Sequence, residues 1–147
     1  MEVRRVGPPA RYWFATYVAL WMCALPVLIR LWPLPVLLAR MTGQGSIAKP
    51  RTRAWDVDLV VGIVAAVSQL RVFQSQLFLR SCLRRSLTLY GALTRMGYPA
   101  RIHFGVRKQG PSFLGHSWVT LYGRPLAETD APDVFTTVYS YPLSADR

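Results

Sequence analysis

Acidic residues are scarce in this sequence, and a long central stretch has none. Seven Asp and Glu stand against 18 Lys and Arg, which gives a formal net charge of +11. Between Asp58 and Glu128 basic residues recur and no acidic residue occurs. Such a field attracts acidic peptides, anionic membranes and other polyanions. Charge alone would favour nucleic-acid binding. No zinc-finger or RNA-recognition signature accompanies it, so we do not expect nucleic-acid binding to be the main function.

Cysteine is also scarce, since the chain contains only Cys23 and Cys82. Two cysteines make no disulfide framework, and their settings differ. Cys23 lies in an apolar run, whereas Cys82 stands between Ser81 and a pair of arginines. No Cys/His cluster with metal-ligand spacing occurs, so we expect neither a metal nor another cofactor. The apolar content of 52% over 147 residues excludes a disordered chain.

One long apolar run, from Tyr12 to Ile29, carries no charge and lies between two arginines. It could be a buried or partner-facing helix that ends at Pro26 or Pro33, a membrane-associated or re-entrant segment, or a single membrane anchor. We favour the first because the run is barely long enough to span a bilayer. We therefore expect a cytoplasmic protein, with membrane association through residues 12–29 left open.

The remaining pattern predicts helices followed by strands. Ser81 is a plausible N-cap that would place Cys82 at the first helical position, and Gly97 is a helix stop. The predicted elements are helices over residues 55–70 and 81–97 and strands near residues 101–106, 117–122, 126–128 and 134–139. The chain is therefore predicted to be an α+β protein with a small antiparallel sheet. Residues 1–52 would form an apolar helical region and linker, and residues 53–147 the core domain.

Cys82 and His116 are a candidate nucleophile and base. The thiolate is the reactive form of cysteine, and a helix start with Arg84 and Arg85 nearby would stabilise its charge. An isolated cysteine is more often a buried apolar residue, but a downstream histidine weakens that alternative. We prefer His116 to His103 as the base because it is predicted at the start of a strand, where it could meet a helix end.

A third group must orient the histidine, and few carboxylates follow it. Glu128 comes just after the predicted turn at Gly123, so its strand could return beside the His116 strand. Asp130 and Asp133 are alternatives, although a Pro-containing loop also uses such residues as turn formers. The oxyanion would meet the backbone N–H of Cys82 and one further donor, for which Gln76 and Gln74 are weak candidates.

Two segments together resemble a known family: CLRRSLTLYGALTRMGYPARIHFGVRK and GHSWVTLYGRPLAE. They look like the core of the transglutaminase-like cysteine proteases, and more narrowly like the stand-alone leader peptidases of lasso-peptide biosynthesis. The resemblance implies a papain-like core in which Cys82 and His116 are catalytic and Glu128 is the acid. His-Ser-Trp replaces a common His-Ala-Trp here, and Thr120 and Tyr122 stand where many relatives carry a strand acid.

The resemblance also implies a function and partners. The enzyme would remove the leader of a ribosomally made lasso-peptide precursor through a cysteine thioester. A winged-helix-like leader-recognition protein would deliver the precursor, and a macrolactam synthetase would then close the ring. Two alternatives remain open at this point: a transglutaminase-like acyl transferase, and a basic, non-enzymatic adaptor that binds membrane or nucleic acid.

Overall fold

Five helices precede a four-stranded antiparallel sheet in the computed structural model, which describes residues 7–42, 56–74, 81–126 and 132–142. The helices are α1 (Pro8–Leu31), α2 (Leu34–Met41), α3 (Val57–Ser68), α4 (Arg71–Gln74) and α5 (Ser81–Arg95). The strands are β1 (Ala100–Gln109), β2 (Ser112–Leu121), β3 (Arg124–Leu126) and β4 (Thr136–Tyr141), with a 3₁₀ turn at Pro132–Val134. The predicted α+β class is confirmed.

Local chemistry accounts for the ends of the predicted helices. Asp56 caps α3, because its side chain accepts a hydrogen bond from the backbone N–H of Asp58 at 3.3 Å. Just after the C-terminal end of α5, Gly97 adopts a φ of 82°, which glycine tolerates without strain. The N–H of Tyr98 then donates to the carbonyl oxygen of Leu93 at 3.0 Å and closes the helix end.

The hydrophobic core lies between the helices and one face of the sheet, and α5 runs through its centre. Side chains from α1, α3, α5, β1 and β2 meet in one cluster, which includes Val18, Met22, Val60, Val64, Leu87, Tyr90, Leu93, Ile102 and Val119. The strand order is β3-β2-β1-β4. Since side chains alternate along a strand, Ile102 and Val119 define an inner face toward the helices, and His103 and Trp118 define an outer face.

The strand boundaries differ from those predicted. Strand β2 begins at Ser112 and not at Ser117, because Gln109 and Ser112 close a two-residue hairpin and pairing continues directly from that turn. His116 therefore lies inside the strand, paired with Gly105, and not at its start. The next turn is formed by Tyr122 and Gly123, whose φ angles are 51° and 77°, so Arg124 already belongs to β3.

The last strand and the first helix also differ from expectation. Strand β4 covers Thr136–Tyr141 and not residues 134–139, since Val134 belongs to the 3₁₀ turn. Helix α1 continues through Pro26 and ends at Leu31, before Pro33. Among the described residues, α1 is the one helix that is long and apolar enough to cross a membrane. The predicted division at residue 52 lies outside the described residues.

The outer face of the sheet depends on the lack of a side chain at Gly105. A Cβ there would lie 2.9 Å from Cζ3 of Trp118 and 3.1 Å from Cβ of Phe135. Both neighbours are buried and cannot move aside cheaply. We therefore expect Gly105→Ala to lower the free energy of unfolding by about 1–3 kcal/mol through overpacking. Urea unfolding monitored by circular dichroism measures this difference.

Gly115 on the neighbouring strand provides a matched control. A Cβ at this position would meet no atom within 4 Å. Gly115→Ala is therefore expected to be neutral, or to stabilise the strand by up to about 1 kcal/mol through a smaller loss of backbone entropy. Equal destabilisation by the two substitutions would contradict this account of the outer face.

Candidate active site

The first turn of α5 holds Cys82 in a fixed place. Cys82 is the second residue of the helix and is half-buried. Two residues later, the side chain of Arg84 is only 4% exposed. Its Nη1 donates to the carbonyl oxygen of Phe73 at 2.9 Å, and its guanidinium carbon lies 5.7 Å from the centroid of the Phe73 ring. These contacts join the start of α5 to α4. Cys82, as the second residue of α5, lies at the positive end of the helix macrodipole.

His116 belongs to a row of aromatic rings on the outer face of the sheet. Its ring centroid lies 4.9 Å from that of Phe135 and 6.0 Å from that of Trp118. On its other side Trp118 stacks against His103, with 5.4 Å between the ring centroids. Trp118 and Phe135 are both buried. The rings of Trp118 and Phe135 also lie 6.4 Å apart, so the imidazole of His116 packs against both of them in a three-ring cluster.

One hydrogen bond joins the segment that carries Cys82 to the segment that carries His116. The hydroxyl of Ser86 donates to the carbonyl oxygen of Ser117 at 2.7 Å, and both residues are buried. Ser86 lies four residues after Cys82 and therefore on the same side of α5. Ser117 directly follows His116. The structure thus brings the two segments into contact one helical turn after Cys82 on α5 and one residue after His116 on β2.

The direction of this hydrogen bond shows that α5 passes the edge of β2. Gln109 and Ser112 form the closing pair of the hairpin, so alternation along the ladder turns the carbonyl of Ser117 away from β1. Among the described residues, β3 pairs with β2 only from Val119 to Leu121. At Ser117 that edge is occupied instead by the hydroxyl from α5. The second turn of α5 therefore lies beside this edge of β2, one residue after His116 along the strand.

His103, the other histidine of the chain, is hydrogen-bonded between neighbouring strands of the sheet. Its Nδ1 is 2.8 Å from the hydroxyl of Ser140, and its Nε2 is 2.9 Å from the hydroxyl of Thr120. The three residues lie on β4, β1 and β2, so one imidazole links three strands. Burial lowers the pKa of His103 below its usual 6.5, and the nearby charge of Arg101 lowers it further. A neutral ring can donate to one hydroxyl and accept from the other.

The carboxylates predicted as the third member, and the glutamines predicted as oxyanion donors, are only partly located. Glu128, Asp130 and Gln76 lie outside the described residues, and so does the side chain of Gln74. Asp133 is described: it is exposed in the 3₁₀ turn, two residues before the ring that packs on His116. Strand β3 ends at Leu126, opposite Val119. The choice of carboxylate therefore remains a prediction.

Sequence reasoning missed two contributors to this site, Ser86 and Phe135. It names Arg84 as a nearby positive charge but does not predict that its side chain is buried. Ser86 gave a signal that could have been used, because a serine four residues after a candidate nucleophile lies on the same helix face. Phe135 gave no such signal, since its contact with His116 depends on how the chain returns to the sheet after β3.

Comparison with known proteins gave one family and no individual relative. The family model described as "Transglut_core3: Transglutaminase-like superfamily" matches residues 19–140, which is more than half of the chain. No curated protein matches the chain, and no solved structure matches it. The matched range begins inside α1 and includes both Cys82 and His116.

The pKa of His103 predicts a pH dependence of stability. Because the folded-state pKa is lowered, protons bind more readily to the unfolded chain. The contribution of neutral His103 is therefore complete above pH 6.5 and is lost as the pH falls from 6.5 through the folded-state pKa. We expect the free energy of unfolding to decrease in that window, measured by urea titration at a series of pH values between about 8 and 5.

Two histidine variants test whether His103 is the source of this effect. His103→Gln keeps a polar side chain between the two hydroxyls but cannot titrate, so its unfolding free energy should vary less with pH. His116→Gln should retain the slope of the wild type that arises from His103. If His103→Gln shows the full slope of the wild type, the burial of a neutral His103 is not its source.

Proposed function

This chain belongs to the transglutaminase-like superfamily, and on that basis we propose that it is a cysteine peptidase that removes the leader from a ribosomally made lasso-peptide precursor. Members of this superfamily that act on peptide bonds use a cysteine thioester, as peptidases or as acyl transferases. The observation that carries the proposal is the contact between the second turn of α5 and β2. It supports the proposal because Cys82 lies one helical turn before Ser86 and His116 directly precedes Ser117.

The proposed reaction proceeds in two halves. The thiolate of Cys82 attacks the carbonyl carbon of the scissile peptide bond, and a tetrahedral oxyanion forms. The imidazolium of His116 gives its proton to the leaving nitrogen, the carbon–nitrogen bond breaks, and the leader remains attached as a thioester. A water molecule then attacks the thioester while His116 takes up its proton. The carbon–sulfur bond breaks, which releases the leader as a carboxylic acid and regenerates the thiolate.

The described residues support this assignment of roles electrostatically. The positive end of α5 would stabilise the thiolate, and the buried guanidinium of Arg84 adds a fixed positive charge in the same turn. The backbone N–H of Cys82 would donate to the oxyanion, as one donor of an oxyanion hole. The rings of Trp118 and Phe135 both pack against the imidazole.

The charge of the sheet supports a peptide with acidic character as the substrate. Arg101 and Arg107 lie on the same face of β1 as Gly105, which pairs with His116. The guanidinium carbon of Arg107 lies 5.0 Å from the centroid of the Phe135 ring. None of the four strands contains an Asp or Glu. A precursor delivered by a winged-helix-like recognition protein would therefore meet a basic surface, before a macrolactam synthetase closes the ring on the freed amine.

Two other functions keep specific support. Acyl transfer uses the same thioester and differs only in its acceptor, an amine in place of water. A basic adaptor for membrane or nucleic acid is favoured by the net charge of +11. The adaptor function does not use the thiol, so the two classes respond differently to substitution of Cys82.

The first test removes each cysteine in turn. Cys82→Ala is expected to abolish cleavage of a candidate precursor while binding of the precursor is retained, because only the nucleophile is lost. Intact-mass analysis of the precursor, incubated with this protein and its recognition partner, measures the products. A leader that gains water indicates hydrolysis, and a leader joined to an amine indicates acyl transfer.

Cys23 provides the matched control for this experiment, because it is an exposed cysteine on α1. Cys23→Ala should cleave at the rate of the wild type. If the folded wild type leaves the precursor intact in the presence of its recognition partner, the peptidase proposal fails. Binding that falls steeply with salt and is unaffected by Cys82→Ala would then favour the adaptor.

A second test identifies the carboxylate. Glu128→Gln, Asp130→Asn and Asp133→Asn each remove one charge with little change in shape. We expect Glu128→Gln alone to lower kcat by at least about 100-fold, since the histidine loses the group that fixes its tautomer. Single-turnover kinetics on the same precursor measure each rate. A loss of rate confined to Asp133→Asn would instead assign the role of the carboxylate to Asp133.

A further inference from the structure

One side of α1 presents a continuous apolar stripe to solvent. Trp13 is 77% exposed, Leu20 is 67% exposed and Val27 is 57% exposed. We call this surface the outer stripe; it consists of Tyr12, Trp13, Thr16, Leu20, Cys23, Val27 and Leu31. These positions recur at helical spacing over about 29 Å of helix. Soluble proteins rarely leave a contiguous apolar surface of this length uncovered.

The opposite side of α1 is part of the hydrophobic core. Phe14, Val18, Met22 and Leu25 are all buried against the other helices. Helix α1 is therefore apolar on both sides, and the described part of the chain covers only one of them. Since the inner side is held by the core, α1 cannot cross a bilayer by itself without unpacking the protein. The arrangement is instead that of a helix fixed on the surface of a domain, parallel to whatever it contacts.

Beyond Tyr12 and Trp13 at its first turn, whose polar tips suit a headgroup region, the outer stripe offers few hydrogen-bonding groups to a partner. The hydroxyl of Thr16 already donates to the backbone carbonyl of Tyr12 at 3.0 Å. Cys23 adds only a weak S–H donor. Protein interfaces carry about one hydrogen bond per 100–200 Å² and a polar rim, which this stripe does not supply along its length. Hydrocarbon requires no such groups, so the chemistry of the stripe fits lipid better than a folded partner.

The charges beside the stripe identify the kind of lipid. Residues 7–42 contain Arg11, Arg30 and Arg40 and no acidic residue. Arg11 and Arg30 are exposed near the two ends of α1, and Trp32 lies 4.5 Å beneath the guanidinium carbon of Arg40. Arginine and tryptophan are suited to the headgroup region. A second copy of this chain would bring like charges together, whereas an anionic bilayer neutralises them.

We propose that the outer stripe of α1 docks on the surface of an anionic lipid bilayer. In this position α1 lies in the plane of the membrane with Leu20 and Val27 in the acyl boundary. The arginines at its ends contact lipid phosphates. This placement holds the protein at the membrane, with the core side of α1 still packed. It does not depend on the proposed peptidase activity, since it concerns a surface formed by the helical layer.

Vesicle flotation with the full chain tests the proposal. The wild type is expected to bind vesicles of phosphatidylcholine mixed with phosphatidylglycerol at least about tenfold more tightly than vesicles of phosphatidylcholine alone. The double variant Leu20→Gln/Val27→Gln should lose at least about tenfold in binding to the mixed vesicles, because two aliphatic side chains that would enter the acyl boundary are replaced. Glutamine preserves helix propensity at these exposed positions, and circular dichroism confirms folding.

The sheet provides a matched control, because it also exposes large apolar side chains. Phe113→Gln and Val138→Gln replace residues that are 70% and 62% exposed, and they should leave binding unchanged. Three outcomes would overturn the proposal: no binding to the mixed vesicles, equal binding to both kinds of vesicle, or full binding by the α1 variant. The proposal would also be overturned if the wild type did not bind vesicles and formed a dimer in sedimentation that Leu20→Gln/Val27→Gln abolished.

Discussion

The burial of α5 is the constraint on which the rest of the structure depends. This helix carries polar side chains into the core, and three of them are hydrogen-bonded there, which matters because an unsatisfied buried group costs about 1–3 kcal/mol. Arg84 donates to a carbonyl of α4, Ser86 to a carbonyl of β2, and Thr88 to the carbonyl of Arg84 at 2.8 Å. A rotation or slide of α5 would break the first two bonds together. The helix is therefore fixed in one register against both layers.

That register has a direct bearing on the chemistry proposed for the site. A nucleophile and its base must be held within a fraction of an ångström, and sites on helices and strands are held better than sites on loops. Here the cysteine belongs to the fixed end of a buried helix and the histidine to the middle of a strand. The aromatic row on the outer face then packs the imidazole, and His103 links β1 to the strands on either side.

The elements were predictable where local chemistry determines them. Gly97 ends α5 as predicted, because a positive φ is a property of a single residue. The helix begins at Ser81, one residue earlier than the predicted N-cap position implies, so that Cys82 is its second residue. The start of β2 was placed too late because Gly115 resembles a loop residue in sequence, whereas the hairpin continues through it. The burial of Arg84 and the contact between Phe135 and His116 are decided by distant parts of the chain. No local pattern encodes such contacts, which explains why the nucleophile and base were easier to nominate than their surroundings.

The two tight turns of the sheet have a consequence for how the site assembles. Strands β1, β2 and β3 are joined by short hairpins, so their pairings link residues that are close in sequence. Contacts of this kind close at a small entropic cost and form on the microsecond timescale. The packing of α1 against α3 and α5 joins segments that are far apart in the chain. We expect the strand that carries His116 to be paired early in folding. The full hydrophobic core, and with it the final position of the helix that carries Cys82, would be completed afterwards.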